Sequence, residues 1–327
     1  MNRFTHFLKS TLILLALAAT APLLQAQDKF PSKPVTIIVA FGAGGSGDIL
    51  ARTIAIPLGE TLGQSVIVEN RAGGQAVPGT LYVARAPADG YTILEYTSTL
   101  AINQVLHPNL PYDLLRDFTP LSYSFEAPLV LLTPGISPNR KLPDLVAYAK
   151  SKPGGISFGH GGSGSLSHLS GELLKRAMAV DAVSVPYKGN GPAMADLIGG
   201  RLDYYFAAEV DSISNVKAGR LNALAITGTD RSPSMPDVPT MVELGYKNFT
   251  PSISWGFLVP KATPAPVARQ LQDAFAKAIA APAFQERLRS LGVTSKNSGG
   301  ADVMAEKVKE EMARWEPVIK AANIRPE

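Results

Sequence analysis

The chain of 327 residues contains no cysteine. This absence excludes a disulfide framework, a thiolate metal cluster and a cysteine nucleophile. Histidine is scarce as well, since His107, His160 and His168 are the only ones besides His6. Because no H-x-x-x-H or H-E-x-x-H spacing occurs, the sequence predicts no metal centre.

Charge is also sparse, at 18% of residues, whereas 46% are hydrophobic, which is the composition of a globular chain with a sizeable core. The length corresponds to about two domains at ~150 residues each. The formal charge of +4 at pH 7 comes from basic residues that are spread along the chain. Without a basic cluster, the sequence predicts no nucleic-acid partner.

Long apolar runs are missing except near the N-terminus. Arg3 and Lys9 flank the start, residues 12–19 are uncharged and apolar, and small residues recur toward Ala26. This pattern predicts a signal peptide over residues 1–26 and export to the periplasm. The run is too short to cross a ~30 Å hydrocarbon layer, although an N-terminal membrane anchor remains an alternative.

Beyond residue 26, strand and helix patterns alternate. Residues 35–41 form a β-branched apolar run, followed by a glycine loop over residues 42–47. Asp48 is then expected to cap a helix over residues 49–62 that Gly63 ends. Similar units predict strands over 65–69, 156–159, 183–186 and 223–227, and helices over 166–179, after Gly191, from 264 onward with a break at Pro282, and over 302–322. The alternation predicts an α/β fold with mostly parallel sheets.

Two extended segments, residues 128–132 and 252–259, flank the middle of the chain. Interpreted as paired crossovers, they predict one discontinuous domain, residues 27–126 plus 253–327, and a second domain, residues 127–252. A simple split near residue 150 is the alternative.

The first glycine loop admits more than one function. Gly42, Gly44 and Gly47 fit the pattern G-x-G-x-x-G, and Glu69 ends the next predicted strand. This is the arrangement of a dinucleotide site. However, backbone N–H groups at a helix N-terminus suit any carboxylate, Asp48 would repel a diphosphate, and an exported protein meets no NAD. Capture of a small anion is therefore favoured over a dinucleotide site or a turn without a ligand.

The second loop, residues 159–165, also places glycines between a strand and a helix N-terminus, and it adds serine hydroxyl groups. Ser165 is expected to cap the following helix, and His168 lies in its first turn. A serine hydrolase using Ser163 is an alternative, but position 165 is serine where the nucleophile elbow G-x-S-x-G needs glycine. The two loops are expected to face one cavity, with Gly44 on one side and Ser163 on the other.

Short motifs recur in order along the chain: FPSKPV at 30–35, VENRAGG at 68–74, ADGYT at 88–92, VPYKG at 185–189, DLIGG at 196–200 and PDVPT at 236–240. In content and order they resemble the substrate-binding proteins of tripartite tricarboxylate transporters, the Bug or TctC family. The resemblance covers essentially the whole chain after residue 26.

The resemblance implies a two-domain periplasmic-binding-protein fold, a type II-like Venus flytrap. Such a protein binds a small organic carboxylate (tri-, di- or aromatic, or an acidic amino acid) between its domains and delivers it to a membrane permease. It implies a monomer without cofactor, metal or catalytic activity. An exported serine hydrolase and a dinucleotide oxidoreductase remain the alternatives.

Carried over to this chain, the resemblance implies ligand contacts on both domains. They are Phe41, Gly42, Ala43, Gly44, Asp48, Thr97 and Ser98 on the first domain, and Ser163, Ser165, His168, Tyr187 and Lys188 on the second. The family usually has Pro-Pro where this chain has Gly42-Ala43. The first loop should therefore be looser here, and ligand specificity is the property that transfers least.

Overall fold

The computed structural model describes residues 30–295 and 301–326. The predicted signal peptide lies outside the described residues and stays a prediction. Within the described ranges, no helix has both the length and the apolar character needed to cross a membrane.

The first sheet is built around three parallel strands. Strand β1 (Val35–Val39) lies between β2 (Val66–Asn70) and β3 (Thr92–Thr97). Helices α1 (Ser46–Leu62), α2 (Val77–Ala84) and α3 (Ser98–Leu106) connect or follow these strands. Since β1 is buried along almost its whole length, it reads as a continuous apolar run.

The second sheet repeats this arrangement. Strand β5 (Ile156–His160) pairs in parallel with β6 (Ala182–Pro186) and β7 (Tyr204–Ala208). The helices here are α4 (Leu142–Ser151), α5 (Leu166–Met178), α6 (Asn190–Ile198) and α7 (Glu209–Lys217), followed by β8 (Leu221–Ile226).

One long strand, β4 (Phe118–Pro134), belongs to both sheets. Its first part pairs antiparallel with β9 (Ser252–Pro260), from Phe118 opposite Pro260 to Pro128 opposite Ser252. Its second part pairs antiparallel with β7 and β8. The chain ends with α8 (Ala265–Ala280), α9 (Pro282–Ser290), the short β10 (Thr294–Ser295) and α10 (Ala301–Ala321).

Each sheet has its own apolar core. One buried cluster includes Ile38, Leu94 and Leu258 from the first sheet. Another includes Val130 and Leu197, from the second part of β4 and from α6. The burial of these side chains provides the main favourable free energy for each half of the fold.

The α/β architecture predicted from the sequence is confirmed, but the sheets are mixed rather than mostly parallel. The reason is that β4 and β9 pair antiparallel with each other and with their neighbours. The sequence interpretation also placed the start of β4 ten residues too late, at position 128, and it missed β3 and β7. Residues Lys33–Glu327 form one compact unit by their contacts, and the division into two domains stays a prediction.

A close approach of α5 to β5 fixes the position of the second loop. A Cβ at Gly171 would lie 2.2 Å from the ring of Phe158. That ring is 1% exposed and stacks on Tyr204, with the ring centroids 5.2 Å apart, so it has little room to move. Gly171 is therefore required by packing.

We expect Gly171→Ala to lower the free energy of unfolding by about 1–3 kcal/mol, because overpacking outweighs the better helix propensity of alanine. Gly191→Ala in α6 is the matched control, since a Cβ there meets nothing within 4 Å. It should be neutral or stabilise by about 0.4–1 kcal/mol. Urea unfolding of the two variants checks this, and a G171A variant as stable as the native protein would contradict it.

Candidate functional site

A cavity of about 560 Å³ lies between elements of the two sheets. It opens at the carboxyl ends of β1, β5 and β7, where ligands bind in α/β folds. The first sheet contributes residues 41–49, Ala72, Thr97 and Thr99. The second contributes Gly161, residues 165–167, residues 188–192, Ala208 and Asp211, among others.

The first loop leads into a helix whose N-terminus is uncapped. Helix α1 begins at Ser46, earlier than predicted, and no side chain caps it at Gly45. Ser46 and Gly47, in its first turn, line the cavity. The first N–H groups of a helix have no partner within the helix and favour a negatively charged group, so this turn can accommodate a carboxylate.

Asp48 shapes this loop from within rather than capping the helix. Its Oδ2 accepts a hydrogen bond from the N–H of Gly44 at 2.9 Å, and its Oδ1 lies 2.9 Å from Arg52. Burial alone would raise the pKa of Asp48, but the contacts with Arg52, Gly44 and Asn70 hold it below its usual value. The N–H of Gly44 is therefore used inside the loop, although Gly44 lines the cavity.

A buried carboxyl group lies directly beneath this loop. A Cβ at Gly47 would lie 2.8 Å from Oε1 of Glu95, which gives this glycine a steric role that the sequence pattern did not reveal. Glu95 is 1% exposed, and neither carboxyl oxygen has a hydrogen-bond partner among the described residues. Burial, together with the negative charge of Asp48, raises the pKa of Glu95 to about 8. At neutral pH the group is therefore mainly protonated.

The second loop turns around two stacked histidine rings. His160 and His168 lie with their ring centroids 4.0 Å apart. The N–H of Gly162 donates to Nδ1 of His160 at 3.3 Å, and the N–H of Gly164 donates to Nδ1 of His168 at 3.1 Å. Burial, with the nearby His160 and Lys175, lowers the pKa of His168 to about 3. The N–H groups of Gly162 and Gly164 are thus used inside the loop, where they donate to the two imidazole rings.

Eight of the twelve predicted contact residues line the cavity: Phe41, Gly42, Ala43, Gly44, Asp48, Thr97, Ser165 and Lys188. Ser165 also caps α5 as predicted, accepting a hydrogen bond from the N–H of His168 at 3.3 Å. Whether these residues bind a ligand stays a prediction.

The other four, Ser98, Ser163, His168 and Tyr187, are not among the residues that line the cavity. Ser98 is fully buried and accepts a hydrogen bond from the N–H of Ser254, while the Tyr187 hydroxyl donates to Asp196 at 2.8 Å. Ser163 lies in the part of the loop that turns around the histidines. Of the two residues expected to face one cavity, Gly44 lines it, whereas Gly161 and Ser167, rather than Ser163, line it on the second sheet.

Sequence reasoning missed two parts of the lining. The first is the start of α6, where Gly189, Asn190 and Gly191 line the cavity directly after Lys188 and no side chain caps the helix. The tripeptide Gly-Asn-Gly before Pro192 was the available signal. The second is Asp211 in the first turn of α7, which could not be placed because β7 and α7 were not recognised.

The two alternative functions find no matching arrangement in the described residues. Glu69, the acidic partner of the dinucleotide pattern, pairs with Arg71 at 2.7 Å and does not line the cavity. The His168 ring lies 3.4 Å from the Ser184 hydroxyl, while the Ser165 hydroxyl lies 3.0 Å from that of Ser167. No group of three or more metal-binding side chains occurs within the described ranges.

The buried Glu95 makes stability depend on pH. Its pKa is raised from 4.5 to about 8 in the folded state, so the folded protein retains a proton that the unfolded chain loses above about pH 4.5. The group therefore destabilises the fold increasingly as pH rises through this window. Glu95→Gln, which cannot ionise, should gain stability relative to the native protein by about 1 kcal/mol per pH unit.

Urea unfolding between pH 5 and 8 measures this difference. Glu60→Gln, an exposed carboxylate on α1, is the control and should give a stability curve parallel to that of the native protein. A parallel curve for E95Q would show that Glu95 does not retain its proton.

Comparison with known proteins shows the family to which the chain belongs. Residues 50–324 match the model of the tripartite tricarboxylate transporter family receptor, TctC. The periplasmic binding protein BugD is 35% identical with a TM-score of 0.86, over 91% of this chain and 100% of that one.

Two related structures contain ligands. MatC from Rhodopseudomonas palustris, with bound malate, is 33% identical with a TM-score of 0.82, over 89% of this chain and 100% of that one. Rpa4515 of R. palustris, with adipate, is 33% identical with a TM-score of 0.86, over 91% and 100%. With its fold and most of its length matched, the chain belongs to the tripartite tricarboxylate transporter receptor family, TctC.

Proposed function

We propose that this receptor binds a small organic carboxylate in the cavity between its two sheets and delivers it to the membrane subunits of a tripartite tricarboxylate transporter. It acts in the periplasm after residues 1–26 are removed, as a binding protein without catalytic activity. Its two domains, residues 27–126 plus 253–327 and residues 127–252, close on the ligand.

The observation that carries this proposal is the meeting of two helix N-termini at one cavity, neither of which is capped by the residue before the helix. Helix α1 follows β1 of the first sheet, and α6 follows β6 of the second. Lys188 lies two residues before the start of α6 and lines the same cavity. A helix N-terminus stabilises an anion by about 0.3–1 kcal/mol when exposed and up to about 2 kcal/mol when partly buried. Hydrogen bonds to a charged acceptor contribute about 1.5–3 kcal/mol each.

These magnitudes are sufficient for useful affinity. Micromolar binding needs about 8 kcal/mol, which two helix termini and four or five donors supply after the costs of ordering. Because the donors come from both sheets, a ligand that contacts all of them favours the closed arrangement of the two domains. The strand β4, which belongs to both sheets, is the segment that would bend.

The relatives support the same ligand class. Malate and adipate, found in MatC and Rpa4515, are both small dicarboxylates. The cavity volume suits ligands of this size.

We expect calorimetry to detect at least one small carboxylate with micromolar affinity and no product formed from it. Lys188→Gln should weaken binding by about 10- to 100-fold, because it removes a charge-assisted hydrogen bond. Lys247→Gln removes the same charge at an exposed position outside the cavity lining and should leave the affinity unchanged.

Small-angle scattering provides a second readout, since the ligand should reduce the radius of gyration. Absence of binding across malate, citrate, adipate, acidic amino acids and benzene dicarboxylates would contradict the proposed function. Turnover of an ester that Ser165→Ala abolishes would favour the hydrolase instead.

A further inference from the structure

An acidic side chain lines the cavity where only anion-binding groups were expected. Asp211 lies in the first turn of α7, on the second sheet, and lines the same cavity as Ser46 and Lys188. The residue is partly exposed, but its Oδ2 is closed off from solvent and has no hydrogen-bond partner among the described residues. A carboxylate oxygen in this state lacks a donor that a ligand can supply.

Asp211 also faces the N-terminus of α1 from the opposite side of the cavity. The hydroxyl and backbone N–H of Ser46 act on its carboxyl group as hydrogen-bond donors. Burial nevertheless dominates and raises the pKa of Asp211 to about 7. The carboxylate therefore competes with any ligand anion for the donors of Ser46.

The cavity thus has two regions that favour ligand groups of opposite charge. Lys188 and the uncapped start of α6 favour a negative group. Next to Ser46, a second ligand carboxylate would meet the negative charge of Asp211, whereas an ammonium group would pair with it.

Resting on the proposed function, we propose that Asp211 determines specificity, so that the ligand carries a carboxylate at one end and an ammonium group at the other. The carboxylate contacts Lys188 and the α6 N-terminus, and the ammonium group donates to Asp211. An amino carboxylate is preferred over a dicarboxylate of the same length.

The test compares ligands that differ only at one end. Three pairs have the same number of carbon atoms: succinate and 4-aminobutanoate, glutarate and 5-aminopentanoate, and adipate and 6-aminohexanoate. Calorimetry at pH 8, where Asp211 is mainly ionised, measures the affinity ratio within each pair for the native protein, Asp211→Asn and Asp211→Ser. Asp273→Asn, an exposed acid on α8 outside the cavity lining, is the charge-matched control.

The native protein and D273N should bind the amino carboxylate of the best-fitting pair about tenfold or more tightly than its dicarboxylate. D211N and D211S should shift that ratio toward the dicarboxylate by about tenfold or more. Ligand-free melting curves identify a variant that is misfolded, and the other variant then decides the outcome.

Each failure has a different meaning. If the native protein prefers the dicarboxylate, or if neither Asp211 variant changes the ratio, the inference is wrong while the proposed function stands. If no member of either series binds, and no carboxylate in the wider set binds either, both are wrong.

Discussion

The N-termini of α1 and α6, where the residue before each helix provides no side-chain cap, are the constraint on which the site depends. Each helix begins without a side-chain cap, and each first turn lines the same cavity from a different sheet. The first N–H groups of a helix have no partner within the helix, so they need a side chain, water or an anion, and at Ser46 of α1 the Asp211 carboxyl group takes part in this role. In the proposed function, a ligand whose carboxylate binds at the start of α6, while its other end lies beside the first turn of α1, makes contacts on both sheets at once, and these contacts couple binding to domain closure.

Other backbone N–H groups near the cavity already have hydrogen-bond partners within the loops. Asp48 uses the N–H of Gly44, and the stacked His160 and His168 use those of Gly162 and Gly164. The glycine-rich loops are thus fixed by side chains of their own or of the helix that follows, and we propose that the starts of α1 and α6 provide the binding surface. Loops held in this way need no rearrangement to present the donors, which limits the entropy lost on binding.

Local pattern was enough to predict much of this. The strand, glycine loop and helix at residues 35–62 and the serine cap of α5 could be identified, because periodicity and capping are local properties. The group to which a loop amide donates cannot be predicted from the neighbouring sequence alone. Whether Gly164 donates to a ligand or to His168 depends on a ring one helical turn away, and whether Ser98 faces the cavity depends on Ser254 in a distant strand. Asp211 was missed for the same reason, since its position matters only when α7 lies opposite α1.

A crystal structure of the protein with a bound small carboxylate tests the central claim most directly. The account predicts carboxylate oxygens within hydrogen-bond distance of backbone N–H groups in the first turns of α1 or α6, with Lys188 beside them. A carboxylate bound elsewhere, with both helix ends facing bulk solvent, would contradict it.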